Sequence, residues 1–497
     1  MQAPPSDVAA TLPPQQSAPA GRTDPELDGN GHPAKAWWIW ALAGALFLAY
    51  ALLSVGIHDR LLSHSFDLGI FVQVVSSYAE GHLPVSEIKG PGFPVLGDHF
   101  SPVLALVAPL YWLWPSVKVL LVVQAALVAA SVPPLAFWAR RTLGSAAAVV
   151  ISACYGLSWG IASAVGFDFH EWAFAVPLLT CSLSALGSGR MRAAACWAFP
   201  LVLVKEDLGL TVAVVGLVIA WRGGREARRL GFATAAAGLA AAALSVLVLV
   251  PAFHPGGLHG YFASHNPGGV GQGGPGGGAL ELLHQVTLGL VTPQEKVTTL
   301  LLVLAPTLFL ALRSPLALIA LPTLLWRFGS SYPPHWGTGY HYSMLVMPVV
   351  FVAFVDALHR RGASGRSLYR YLAGCAAVTL LLLPHYPLWQ LVQPGTWRTD
   401  PRLAVAEDVM AQIPDGATVQ ASDGLVPHLA DRTSVSLYGW ADSRPDPAWI
   451  MVDTRVAPQY RWPLSPIAEQ IALAEARAKG YRTAAQRDGF VLLKRGS

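Results

Sequence analysis

From residue 36 to about residue 391 the chain is a succession of apolar stretches, most of them close to the ~20 residues a helix needs to cross a hydrocarbon core, parted by short polar links. Only 12% of the residues are charged and 53% are hydrophobic. A soluble domain carries about 25% charged residues, so the pattern specifies an all-α polytopic membrane protein. The apolar run 172–221 is too long for one helix and is broken by Lys205-Glu206-Asp207, so it divides into three. With that division the chain has about eleven transmembrane helices.

The basic residues orient them. Arg140 and Arg141, Arg190 and Arg192, the group Arg222, Arg225, Arg228 and Arg229, then Arg313, and finally Arg360, Arg361, Arg366 and Arg370 occupy separate links. With eleven spans all of these links fall on one side, which the positive-inside rule makes cytoplasmic. The N-terminus is then cytoplasmic and the C-terminus extracytoplasmic. Links 58–116, 166–171, 205–207, 252–295 and 329–341 lie outside. The apolar piece 102–114, ending in Trp112, Trp114 and Pro115, reads as interfacial or re-entrant, because as a span it would put Arg140 and Arg141 outside.

Three regions are different in kind. Residues 1–35, rich in Pro, Ala, Gln and Gly with no basic and apolar signal pattern, read as a disordered cytoplasmic tail. The first apolar run then serves as an uncleaved anchor, and residues 36–394 form the transmembrane region. The link from His254 to about Gly278 is Gly-rich and carries His254, His259 and His265, as a lid or a passive linker would. Residues 395–497 have ordinary polarity. They show a helical DPRLAVAEDVMAQI, then strand-like ATVQAS, SVSLYG, AWIMVDT and FVLLK with a helix at 465–479, so they predict a small extracytoplasmic α/β domain.

Four polar clusters abut the apolar stretches: FDLGI with Asp67, GDHFSP with Asp98 and His99, FDFHE with Asp168, His170 and Glu171, and Lys205-Glu206-Asp207. The topology sets all four on the external face, with His341 and Tyr342 of GTGYHYS. Ionisable groups at the ends of spans are functional candidates. Each also has a structural explanation. Asp67 can cap the helix of DLGIFVQVVSSYAEG, and Asp98 can stabilise a turn. Glu171 suits the positive end of the following helix, Lys205 can pair locally with Glu206 or Asp207, and Tyr342 can belong to an aromatic belt. Asp168 and His170, two apart, would point the same way in an extended link, and capping does not explain that pair.

The four cysteines, Cys154, Cys181, Cys196 and Cys375, fall inside apolar stretches without disulfide or metal-ligand spacing. No basic face suggests nucleic-acid binding. No Walker A, GxSxG, HExxH or GxGxxG pattern stands in a confirming context, which argues against ATP hydrolysis and serine-hydrolase chemistry.

At FDLGIFVQ, GDHFSPVLALVAPLY, FDFHEWAFAVPLL, LVKEDLGL, YHYSMLVMP and the tail motif IPDGATVQASDGLVPHLADR, the chain resembles a bacterial membrane family, the domain of unknown function numbered 2079. Through it the chain is similar to the C-type glycosyltransferase (GT-C) superfamily, multi-spanning enzymes that use polyprenyl-phosphate sugar donors. The resemblance implies a multi-pass protein of the bacterial cell membrane that transfers a sugar to an envelope glycan or protein acceptor. It implies Asp67 as base or metal ligand, with Asp168 and His170 as the second acidic motif. Asp98, His99, Glu171, Lys205, Glu206, Asp207, His341 and Tyr342 would contact substrate. A divalent cation, Mg or Mn, is the cofactor such a site could take. The first external loop lacks the adjacent acidic pair of the superfamily, so the ligand set stays open. A rival reading uses the same residues, a transporter or lipid flippase, for which internal repeats and mid-membrane charges are missing; a third is a non-catalytic assembly protein whose tail domain binds a partner.

Overall fold

A computed structural model describes residues 36–265, 287–330, 332–457 and 461–496. The tail 1–35 and residues 266–286 of the Gly-rich link lie outside the described residues.

The apolar stretches are helical, but their lengths are uneven. Among the described residues five helices are long and apolar enough to cross a membrane: Trp37–Asp59, Lys118–Leu143, Arg225–Phe253, His341–Arg360 and Gly365–His385. Ser145–Gly156 and Trp159–Val165 make a sixth if this pair, bent by 45°, is one span. Trp172–Gly187, Met191–Leu203, Leu208–Arg222 and Pro315–Gly329 are shorter apolar helices, as is Pro102–Leu113. Helix lengths alone therefore do not produce eleven crossings. Proline is the physical reason in two of the stretches: it removes a backbone donor and crowds the preceding turn. The helix Met191–Ala198 tightens into a 3₁₀ turn at Pro200. The stretch 296–312 is helical over Gln294–Leu304, tightens at Pro306, and breaks where Leu308 and Phe309 take left-handed backbone angles, φ 53° and 61°.

His341–Arg360 is the central helix. Its most apolar window is 94% buried inside the protein, whereas that of Gly365–His385 is 17% buried and turns its apolar surface outward. Leu208–Arg222 and Arg225–Leu244 pack backbone to backbone. A Cβ on Gly209 would lie 2.5 Å from the Gly238 carbonyl oxygen, and one on Gly231 2.5 Å from that of Gly216. Small residues permit such an approach.

The C-terminal residues build a five-stranded sheet of β3 (Thr418–Ala421), β4 (Ser434–Leu437), β5 (Trp449–Asp453), β6 (Tyr481–Arg487) and β7 (Phe490–Arg495); a two-residue hairpin, β1 (Val85–Ser86) with β2 (Phe93–Pro94), stands apart in the first external loop. The order is β4-β3-β5-β7-β6, with β4, β3 and β5 parallel and β7 and β6 antiparallel to their neighbours. Every residue of β5 is buried, as a strand covered on both faces requires. Strand β6 is not among the strands expected from sequence. Its YRTAAQR is exposed at most positions and lacks an apolar alternation. Helices Pro401–Met410 and Pro466–Ala478 flank the sheet.

The sheet shares a core with the first external loop. Leu68, Phe71, Val72 and Val75 pack in one cluster with Val419, Leu425, Val426, Leu437 and Met451. Gly424 approaches the Leu61 carbonyl so closely that a Cβ would sit 2.5 Å from it. The imidazoles of His58 and His428 stack at 4.0 Å.

Candidate functional site

Four links at the ends of the apolar helices meet above the central helix. The first follows Trp37–Asp59. Its residues Ser65–Gly69 form a π-turn that runs directly into helix Ile70–Ala79, and Asp67 projects from that turn. Asp67 is thus on the first turn of a helical segment, but no side-chain cap bond forms there. Its carboxylate instead meets His170, Oδ1 to Nε2 at 2.9 Å.

His170 is positioned by Gln124, which is fully buried in helix Lys118–Ala130. Gln124 donates from Nε2 to the Asp168 carbonyl at 2.9 Å and accepts from the His170 N–H at 2.9 Å. The backbone wraps around this amide, so Asp168 and His170 do not face the same way as they would in an extended link. The His170 ring goes to Asp67, while the Asp168 carboxylate accepts from the His64 backbone N–H and lies 2.8 Å from His64 Nδ1.

The remaining clusters interlock. Lys205 reaches across to Glu171 at 3.0 Å, so its ion pair is tertiary and not a local closure with Glu206 or Asp207. Glu206 accepts from the Phe100 N–H at 3.1 Å and lies 2.9 Å from His99 Nδ1. Asp98 pairs with Lys89 at 3.1 Å. His341 stacks on His170 with ring centroids 3.3 Å apart, and Tyr342 packs against Trp326, His335 and His341.

These links enclose a cavity of about 730 Å³. Asp67, Asp98, His99, His170, Glu171, Lys205, Glu206, Asp207, His341 and Tyr342 all line it. Asp168 does not; it stands behind the wall on His64. Lys89, Tyr261, Tyr332, His335 and Trp326 also line the cavity and were not legible as candidates. Lys89 lies in a Gly/Pro-rich turn with no distinguishing pattern. Gln124 left a usable signal, a lone amide inside an apolar span. Asp423, in the tail motif, accepts from the Ser65 N–H at 2.8 Å and so supports the turn that carries Asp67.

The electrostatics separate the carboxyls. Burial would raise the Asp67 carboxyl, but the His170 ring, with His64 and Lys205 further off, holds it below its ordinary value. Burial likewise raises Asp207, and there the neighbouring Glu206 adds to it, so its carboxyl is pushed up to about 6. Burial works against the Lys205 ammonium, yet Glu171, Glu206 and Asp207 together raise it above its usual value. Glu171 Oε2 and Asp207 Oδ1 are buried without a hydrogen-bond partner among the described residues. Ser101 Oγ and His341 Nδ1, on residues of the same lining, are also without one.

Five carboxylates, two lysines and four histidines line the cavity. Among the described residues no three His, Cys, Asp or Glu side chains are arranged to hold a metal ion. Asp67, Asp98, Glu171 and Glu206 each already face a lysine or histidine. The described residues thus present no ready-made divalent-cation site.

The His64–Asp168 pair has a pH signature. Burial lowers the imidazole, but the Asp168 bond and charge outweigh it and raise it from 6.5 to about 9. A raised folded-state value means the stabilisation is complete below about pH 6.5 and lost as pH rises through about 9. The melting temperature should therefore fall more between pH 7 and 10 in the wild type than in His64→Gln. The His64 side chain is 44% exposed, so solvent screens the pair and the difference is small. Parallel pH profiles of the two proteins would remove this assignment.

The family described as predicted membrane protein DUF2079 matches residues 57–492. No curated protein matches the chain. Among solved structures, ArnT from Cupriavidus metallidurans bound to undecaprenyl phosphate is similar at a TM-score of 0.53 and 15% identity, over 93% of this chain and 98% of that one. The apo state of the same protein gives a TM-score of 0.46 and 15% identity over 92% and 98%. At that identity the first likeness shows a common fold.

Proposed function

We propose that this chain, which belongs to the DUF2079 family of predicted membrane proteins, is a membrane glycosyltransferase that takes a sugar from a polyprenyl-phosphate donor in the cavity around Asp67. The observation that carries this reading is one cavity holding an ionised carboxylate backed by an imidazole, Asp67 with His170, and a buried lysine, Lys205. The fold shared with a protein crystallised with undecaprenyl phosphate supports the donor class. The resemblance to the C-type glycosyltransferases supports the reaction.

In this mechanism Asp67 accepts the proton of the acceptor hydroxyl as its oxygen bonds to the anomeric carbon. The bond from that carbon to the phosphate oxygen breaks, and its electron pair leaves with the phosphate. Lys205 and His99 lie on the cavity wall where cations would stabilise the departing charge. Lys205 is held by Glu171 before donor arrives, so the phosphate competes with that carboxylate. Asp207, whose carboxyl burial and the neighbouring Glu206 push up to about 6, lies on the same wall. His341 and Tyr342, with Tyr332, Tyr340 and Trp326, give the sugar an aromatic wall.

We read the apolar stretches as eleven crossings, with the shorter helices spanning where the protein thins the bilayer or flanking side chains snorkel. The cavity then opens on the external face, the N-terminus is cytoplasmic, and residues 395–497 form an extracytoplasmic domain. The acceptor is an envelope glycan or protein.

Mass spectrometry of lipid co-purified with the protein tests the donor. A polyprenyl-phosphate, bare or sugar-linked, should be enriched over the membrane extract. It should diminish in Lys205→Met/Glu171→Gln, which removes the phosphate's cation. Bulk head-group phospholipid alone would overturn the donor assignment.

A further inference from the structure

The cavity around Asp67 is not the only enclosed polar space. A second, of about 610 Å³, lies between the C-terminal sheet and the link that follows the first helix, and the two share no lining residue.

Its place in the sheet is informative. The chain leaves β3 to form β4 on one side and then returns to form β5 on the other. The carboxyl ends of β3 and β5 are therefore a topological switch point, where open α/β sheets leave a crevice for ligands. Ser422 and Asp423 follow β3, Tyr438 follows β4 and Asp453 ends β5, and all four line this cavity.

Two residues of the lining carry hydroxyls without a partner. Tyr438 is 7% exposed and Ser63, on the opposite wall, 2%. The Tyr438 Oη and Ser63 Oγ atoms are buried with no hydrogen-bond partner among the described residues. A buried polar group left unpaired is costly, so both are suited to a partner that the chain itself does not provide.

The charge on the walls limits what that partner can be. Four arginines line the cavity against four carboxylates, so the side-chain charges there balance apart from His64. Arg402 is paired with Asp453 at 2.8 Å and Arg461 with Glu469 at 2.8 Å. The β3 end reads Ser422-Asp423-Gly424-Leu425 and has no glycine-rich phosphate loop. Arg60 bonds the Gly56 carbonyl and the Gln390 side chain, but a nucleotide or other anion seated on Arg402 or Arg461 would have to break these pairs. A neutral polyhydroxylated ligand would not, and Trp462, 43% exposed at the cavity, offers the flat apolar face on which a sugar ring packs. We propose that this crevice is a second, non-catalytic site that binds a neutral carbohydrate.

The assignment does not depend on the transferase reading. Full-length protein in detergent is applied to an array of neutral oligosaccharides together with sugar phosphates. At least one neutral oligosaccharide class binds. Its affinity falls about tenfold in Tyr438→Phe and in Trp462→Ala, the loss typical of one buried hydrogen bond or one contact face. Binding persists in Asp67→Asn, which alters only the other cavity. Tyr438→Phe keeps the ring that packs in the core, so a folding defect does not obscure the result. Binding of no neutral oligosaccharide, a tenfold preference for sugar phosphates, or binding lost in Asp67→Asn but kept in both crevice variants would each overturn the assignment.

Discussion

Asp67→Asn leaves the protein folded and lowers sugar transfer roughly 10²–10⁴-fold, the range that a positioned general base contributes. The change is nearly isosteric, and the amide oxygen can still accept from His170 Nε2 at the 2.9 Å separation. What it removes is the negative charge, and with it the capacity to take a proton from the acceptor. The turn that carries Asp67 keeps its other supports, since Ser65 remains bonded to Asp423 and helix Ile70–Ala79 remains packed against the sheet. Melting temperature and transfer from a polyprenyl-phosphate sugar should therefore separate cleanly. Envelope glycans unchanged in the variant, with the protein present at normal level, would sink the role given to Asp67.

Lys205→Met destabilises the protein by about 3–5 kcal/mol, the usual result of removing one partner from a buried ion pair. The Lys205 side chain is 11% exposed and that of Glu171 2%, so neither is rescued by water. The cost arises less from the lost attraction than from Glu171 left buried without its cation, while Glu206 and Asp207 lose the same positive charge nearby. Adding Glu171→Gln to Lys205→Met should therefore restore much of the melting temperature, although it returns no contact. That double variant also isolates function from folding. It should fold and remain inactive, because the phosphate still lacks its cation. A single variant that melts with the wild type would remove the structural role, and a double variant that transfers normally would remove the phosphate role.

The sequence makes some of this arrangement legible and hides the rest for identifiable reasons. Asp67, His170 and Lys205 are visible because a charge at the edge of an apolar stretch is costly and therefore conspicuous. Their partners are not. His64 precedes the conspicuous FDLGI, Lys89 lies in an ordinary Gly/Pro-rich turn, and Asp423 is one carboxylate among many in a tail of normal polarity. Asp168 was misdirected by the same logic that found it. Its spacing from His170 implies a shared face only if the backbone is extended, and Gln124 bends it.

The apolar stretches and the apolar strands β3, β4, β5 and β7 follow from sequence alone, because each reflects forces acting within a few residues along the chain: backbone hydrogen bonding and the period of apolar side chains. Strand β6 escaped because pairing with β7, not its own pattern, makes it a strand. The pairings at the cavity are of another kind. Asp67 meets His170 across 103 positions and Lys205 meets Glu171 across 34. Side-chain direction at those points depends on a π-turn, a buried amide and the stacking of His341 on His170, none of which has a local sequence period. The crevice at the ends of β3 and β5 likewise exists only because the sheet docks on residues 57–64. Local chemistry chose the elements, and long-range packing chose which charged groups face one another.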